Sequence, residues 1–221
     1  MGHTNPQELF ASHLRTWVVT ALAIVVCACS PSTVQIVTSP DFRGKVIPPI
    51  AILPFQLDSS EYSTRQFLLS NSVVDPTAPA TMTDLFYKNL RKKFSVSLIP
   101  PDKVKIAVNE FTLPPLNKDP SYTIARKIGE VLEANTILLG SVSQYQDRVG
   151  NAVGISQPAS VGFETRLVSV RDGSTLWVGH FFETQRPMTS DLQGFLQRRR
   201  WLTAKELAED GIKQVLAQGW E

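Results

Sequence analysis

Cys29 constrains this chain more than any other residue. It closes the apolar run Thr16 to Val26, which is interrupted only by Thr20 and followed by Cys27 and Ala28. The run is about 11 residues, inside the ~7–15 of a secretory signal core and short of the ~18–20 that span a bilayer. Arg15 supplies the positive charge just before it, although the preceding stretch, Met1 to Leu14, is long for a signal and carries Glu8. Cleavage ahead of a lipidated cysteine needs a small residue immediately before it and an aliphatic one three before it. Ala28 and Val26 stand at those places. Cys27 in the middle place is unusual, but taking Cys27 as the site would set bulky Val26 against the cut. The expected organisation is a lipoprotein signal peptide over 1–28, with Cys29 the acylated, palmitate-bearing first residue of the mature chain. An uncleaved anchor or an ordinary secretory signal is the alternative reading of the same run.

That reading narrows the chemistry. Both cysteines lie in the signal region, so the body has no thiol for a disulfide, a cysteine-based zinc site or a cysteine nucleophile. Losing Glu8 and Arg15 together leaves the formal charge at +2, too near balance for a nucleic-acid partner, which wants a clustered basic surface. The remaining ~190 residues suffice for one domain with a substantial core. Hydrophobic content of 43% with 19% charged residues reads as globular.

Residues 29–48 hold Pro31, Pro40 and Pro48 among small polar residues and read as a flexible tether. A single domain is expected over 49–221. Ile50 to Phe55 reads as a buried strand, and 56–80, with Pro76 and Pro79, as a loop. A helix is expected from Thr83 to Phe94, a strand from Phe94 to Ile99 and a short helix from Asp102 to Phe111. Asp119 as N-cap and Pro120 in the first turn should start the next helix, with Ile124, Ile128, Val131 and Leu132 as its apolar stripe. Thr136–Tyr145, Ser160–Val170 and Leu176–Glu183 read as three strands in an antiparallel meander. The last two are joined by a hairpin at Asp172-Gly173, where positive φ suits the strand twist. Thr203 and Glu206 form a capping box and Leu202 and Leu207 a hydrophobic staple for the last helix. Its residues Ala204, Leu207, Ala208, Gly211, Ile212, Val215 and Leu216 share one stripe, which should pack on the sheet. The fold class is therefore α/β, a mixed sheet with a meander and packed helices.

Three segments carry a resemblance: Ile50-Ala-Ile-Leu-Pro-Phe55, Ala134 to Val142, and Leu167 to Trp177 with its Asp-Gly and Leu-Trp pairs. Over roughly 48–218 the chain resembles bacterial envelope lipoproteins with a domain similar to the amino-terminal domain of TolB. That group includes the curli-secretion channel lipoprotein and the lipoprotein activators of penicillin-binding proteins. The segment from Gln185 to Leu207 looks like a lipoprotein subfamily without a known activity. The resemblance implies the fold and no catalytic residue or cofactor. It implies an outer-membrane, periplasm-facing, lipid-anchored accessory or binding module with an envelope protein as partner. Ser30 agrees, because by similarity to enterobacterial sorting a residue other than Asp after the lipidated cysteine favours the outer membrane. A secretion-channel subunit is the rival role. Its barrel strands would each need about 9–11 alternating residues, whereas 146–159 is short and polar and 56–80 has no sustained alternation. An envelope enzyme is the second rival.

For such an enzyme the raw material is thin. His180 is the only histidine after Cys29, and no Gly-x-Ser-x-Gly elbow accompanies it. A strand histidine is ordinarily a packing or surface residue. Glu164 and Glu183 could face each other as paired acids, or Glu164 could belong to a solvated face beside Arg166. Gly150 and Gly154 lack the lysine and helix of a phosphate loop. The sharpest surface cluster is Arg198-Arg199-Arg200-Trp201. It reads either as a solvated approach to the last helix or as a contact to headgroups, glycan or a partner protein.

Overall fold

The computed structural model describes residues 33–42, 48–58, 74–93, 97–116, 118, 122–150, 155–185 and 201–219. Its centre is a six-stranded mixed sheet. β4 (Thr136–Gln146), β7 (Ser160–Ser169) and β8 (Thr175–Thr184) form the antiparallel meander. β2 (Ile50–Ile52) and the short β3 (Gln56–Leu57) both run parallel to β4 along its other edge. β1 (Thr33–Thr38) pairs antiparallel with β8, so the order is β1-β8-β7-β4-β2. A small hairpin, β5 (Val149–Gly150) with β6 (Ile155–Gln157), stands apart between β4 and β7.

β1 corrects the expected tether. Prolines and small residues suggested a loose leader over 29–48, but Thr33-Val-Gln-Ile-Val-Thr38 is an uncharged, proline-free run rich in β-branched residues. Such residues suit a half-buried pleat. Val34 and Ile36 pack against the core from the edge of the sheet. The domain thus begins at β1, sixteen residues before its expected start.

Helices α1 (Ala78–Lys93) and α4 (Ala204–Gly219) cover one face of the sheet, and α2 (Pro101–Asn109) and α3 (Thr123–Val131) part of the other. α1 begins five residues earlier than its apolar stripe suggested. Pro76 and Pro79 read as loop formers, yet Pro79 falls in the first turn, where no backbone N–H is required. Asp75 Oδ1 accepts from Thr77 N at 2.8 Å and from Thr77 Oγ1 at 2.7 Å, and the Asp75 carbonyl accepts from Ala78 N at 2.9 Å. α3 starts at Thr123 behind Tyr122, and the expected Asp119 and Pro120 lie outside the described residues. Its buried face is Ala125, Ile128 and Gly129, flanked by half-buried Ile124 and Leu132, while Val131 points to solvent. The stripe is rotated because Gly129 must lie against Val170, where a Cβ would come within 2.6 Å of Val170 Cγ2. Of the expected strand over 94–99, residues 94–96 are outside the described set and Leu98 makes a parallel bridge to Ile50.

α4 follows its sequence closely. Thr203 N donates to Glu206 Oε2 at 2.9 Å and Glu206 N to Thr203 Oγ1 at 3.2 Å, which is the capping box. Leu202 and all seven stripe residues face the interior. Beneath α1 and α4 an aromatic row crosses the sheet. Phe55 stacks on Phe86 at 4.9 Å, Phe86 meets Phe163 edge-on at 5.6 Å, and Phe163 stacks on Phe181 at 5.4 Å. Glycines make room at both ends. The Phe55 ring lies on Gly140, and a Cβ on Gly211 would reach 2.6 Å from Phe181. Aromatic contacts of this kind add to the apolar area that they bury.

The open half of the sheet as candidate functional site

The two faces of the sheet are covered unequally. α2 and α3 bury Ala51, Leu53, Ile137, Leu139 and Val168. Further along the same face, among the described residues, side chains from β1, β4, β7 and β8 line a cleft instead of a core. Strand register sets its pattern. Ser141, Glu164, His180 and Gln35 form one row across four strands. On one side of it Gly162, Phe182 and Thr33 form a second row, and on the other Arg166, Val178 and Val37 continue the face beyond the cleft, up to buried Leu139. The cleft encloses about 360 Å³ and opens to solvent, with Asp58 at its margin.

Glu164 is held from two sides. Arg166 Nε donates to Oε1, and His180 Nδ1 lies 3.4 Å from Oε2. Arg166 Nη1 also donates to the Tyr122 hydroxyl at 2.9 Å, as does Thr175 Oγ1 at 3.3 Å. Tyr122 is buried at the start of α3, so this network ties the edge of the covered half to the open half. Burial works against the Arg166 charge, but the hydrogen bonds to Tyr122 and Glu164 outweigh it and hold the guanidinium above its ordinary value. Arg166 is therefore a fixed cation, and Glu164 a carboxylate already matched by it.

The arrangement suits hydrogen bonding better than bond making. Ser141 and His180 share a row but sit two strands apart, roughly 10 Å at ordinary strand spacing. A base and a nucleophile must lie within hydrogen-bond reach. Among the described residues no group of three His, Cys, Asp or Glu side chains could hold a metal ion. What the row presents is hydroxyl, carboxylate, imidazole and amide, flanked by Val37 at 63% exposure and Phe182 at 37%.

The acid pair suggested by the sequence does not form. Glu164 is opposite His180, whereas Glu183 is opposite Val161 and buried on the α4 side. Side chains alternate along a strand, so 180 and 183 point to opposite faces. The alternative reading of Glu164, beside Arg166 on a solvent-reaching face, is the one observed. Cys29, Arg198, Arg199 and Arg200 lie outside the described residues. Trp201 is described and half-buried, next to Leu202, whose N–H donates to Gln185 Oε1 at 3.2 Å. The sequence signal for the open row was present in the alternation Gly162, Glu164, Arg166. What it lacked was β1, which supplies Thr33, Gln35 and Val37.

No family model matches the chain. No curated protein matches it either. Solved structures similar to it include the PelC dodecamer from Paraburkholderia phytofirmans, at 14% identity over 84% of this chain and 94% of that one, TM-score 0.47. The LpoB C-terminal domain from Salmonella enterica is similar at 14% identity over 66% and 90%, TM-score 0.40. Lipoprotein GNA1162 from Neisseria meningitidis is similar at 18% identity over 68% and 91%, TM-score 0.42. Identities this low concern chain path alone, and scores below 0.5 give none of these neighbours weight in assigning a role.

Proposed function

We propose that the mature chain is an outer-membrane lipoprotein on the periplasmic face, anchored by acylation of Cys29. Its domain serves as a non-enzymatic accessory or binding module for an envelope protein complex. The observation that carries this reading is the half-covered sheet. A fold that covers most of one face leaves half of the other as a row of hydrogen-bonding groups between two exposed apolar side chains. Interfaces that form and dissolve have this mixed character, with apolar anchors inside a polar surround. The network at Glu164 supports the binding reading, because it fixes charges in place and, among the described residues of the row, Ser141 and His180 stand too far apart to act as nucleophile and base. Arg198, Arg199, Arg200 and Trp201 supply a second contact in this reading, to the partner or to headgroups.

The test is site-specific photocrosslinking in cells. A photoreactive residue at Val37, on the open face, should capture one discrete envelope protein, and the same residue at Val131, on α3, should not. Cys29→Ala should leave the domain folded and abolish membrane retention, separating placement from partner choice. Equal capture from both positions, or none from Val37 in the acylated protein, would refute the binding role. Replacing Arg198, Arg199 and Arg200 together with Gln should preserve the fold and weaken capture or retention. Unchanged partner and retention would remove those residues from the interface.

A further inference from the structure

Strand directions gather several features at one end of the sheet. β1 runs antiparallel to β8, so Thr33 stands opposite Phe182, near the end of β8. Ser160, the first residue of β7, stands opposite Thr184 and Gln146, so β4 finishes at the same end. The β5–β6 hairpin follows directly, with Val149 at 54% exposure and Arg148 beside it. α4 begins here too, because Ala204 N donates to Asp147 Oδ1 at 3.0 Å and Leu202 N to Gln185 Oε1. Half-buried Trp201 therefore belongs to this end. Two acidic side chains at this end, Asp75 and Asp147, are exposed but engaged in local hydrogen bonds. Asp147 accepts from Ala204 N and Arg148 N, and Asp75 accepts from Thr77 at the start of α1.

Only Ser30, Pro31 and Ser32 separate Cys29 from Thr33. Fully extended, that connection reaches at most about 14 Å. The headgroup layer on each side of a bilayer is itself roughly 5–8 Å thick. Little reach remains to lift Thr33 clear of it. The features at this end suit that depth. Tryptophan settles at the membrane–water boundary, arginine meets anionic headgroups, and an exposed valine loses no hydration there.

We infer that the end of the domain carrying Val149 and Trp201 is seated in the phospholipid headgroup layer of the membrane that holds the lipid anchor. The inference rests on acylation of Cys29. The short link orients the domain, so that the open half of the sheet rises from the membrane with its rows stacked away from the surface. Thr33 and Phe182 form the lowest row and Val37 stands above both rows.

The acylated mature protein has no free thiol, so a cysteine placed at Val149 or Val131 takes a fluorophore at one site only. Each labelled protein is reconstituted into vesicles of phosphatidylethanolamine and phosphatidylglycerol containing a headgroup-nitroxide lipid. The Val149 label should lose most of its fluorescence to the nitroxide and the Val131 label almost none. A long Gly-Ser spacer inserted between Ser30 and Pro31 should restore the Val149 signal while the protein still floats with the vesicles. Equal quenching at both sites, or quenching at Val149 that the spacer leaves unchanged, overturns the inference and leaves the anchor standing. Failure of the unmodified protein to float with vesicles overturns the anchor itself.

Discussion

Asp172 sets the turn between β7 and β8 through one oxygen. Its Oδ1 accepts from Ser174 N at 3.0 Å and Ser174 Oγ at 2.7 Å, and Gly173 beside it takes φ 72°. The Ser174 backbone and side-chain bonds hold the carboxyl well below its ordinary value of 3.8, as the Thr77 bonds lower Asp75. A carboxyl lowered on folding stabilises fully above the unfolded value, and the contribution drains away as pH falls through the folded one. Asp172→Ala should therefore lower the urea midpoint at neutral pH and flatten the loss of stability on acidification. Urea titrations of both proteins at pH ~7 and ~3 check this. Tyr145 moves the other way, pushed up to about 12 by burial with help from Asp147 and Asp75. A second residue-scale prediction concerns Gly140. Any Cβ there would fall 2.1 Å from the Phe55 ring, which is already stacked on Phe86. Gly140→Ala should cost about 1–3 kcal/mol by overpacking, read from equilibrium unfolding. The Asp-Gly turn was legible in the sequence because its reason is local. The role of Gly140 was not, since the ring above it arrives from 85 positions earlier in the chain.

At the scale of the element, legibility followed the source of each signal. α4 carries its cap and stripe in local sequence, and both appear as read, with Leu202 and Leu207 buried in one cluster. Thr203→Ala should remove one half of the box at a cost of about 1 kcal/mol, measurable as a shift in the unfolding midpoint without loss of the fold. α1 was misread at its start and α3 on its buried face, for different reasons. At α1 prolines masked a start that Asp75 and Thr77 in fact define. At α3 the buried face is chosen by the close approach of Gly129 to Val170, a contact between distant segments. β1 was hidden because six residues of alternating, uncharged chain look the same whether they lie on a sheet or in solvent. The partner strand decides, and it lies far downstream.

For the whole molecule, β1 is both an edge of the sheet and a wall of the candidate site. Val34 and Ile36 dock it on the core from a half-buried position. Ile36→Asp should cost about 2 kcal/mol, toward the lower end for loss of a large aliphatic side chain. Amide exchange should then speed up across residues 33–38 first, with the meander still protected. The same variant should weaken capture at Val37, because the cleft loses its wall. The candidate site was partly legible for this reason. Glu164 and Arg166 could be seen as neighbours on a hairpin, whereas His180 opposite Glu164 needed the strand register. Their role as the floor of a cleft needed a strand read as tether, and the end proposed to meet the membrane needed the direction of that strand.

The pairing of Thr33 with Phe182 also has a consequence for biogenesis. Exported from its amino end, as proposed, the chain delivers β1 well before β8, so the sheet closes only after residues 33–184 have crossed. Contacts between such distant segments slow folding, because the intervening loop must be closed before the pairing is rewarded. During that interval β1 is an uncharged, β-branched strand without its neighbour, the kind of segment that recruits foreign strands. In the proposed lipoprotein, a holding factor would be needed most at this stage, and the final zipping of β1 would draw the finished domain toward the proposed anchor.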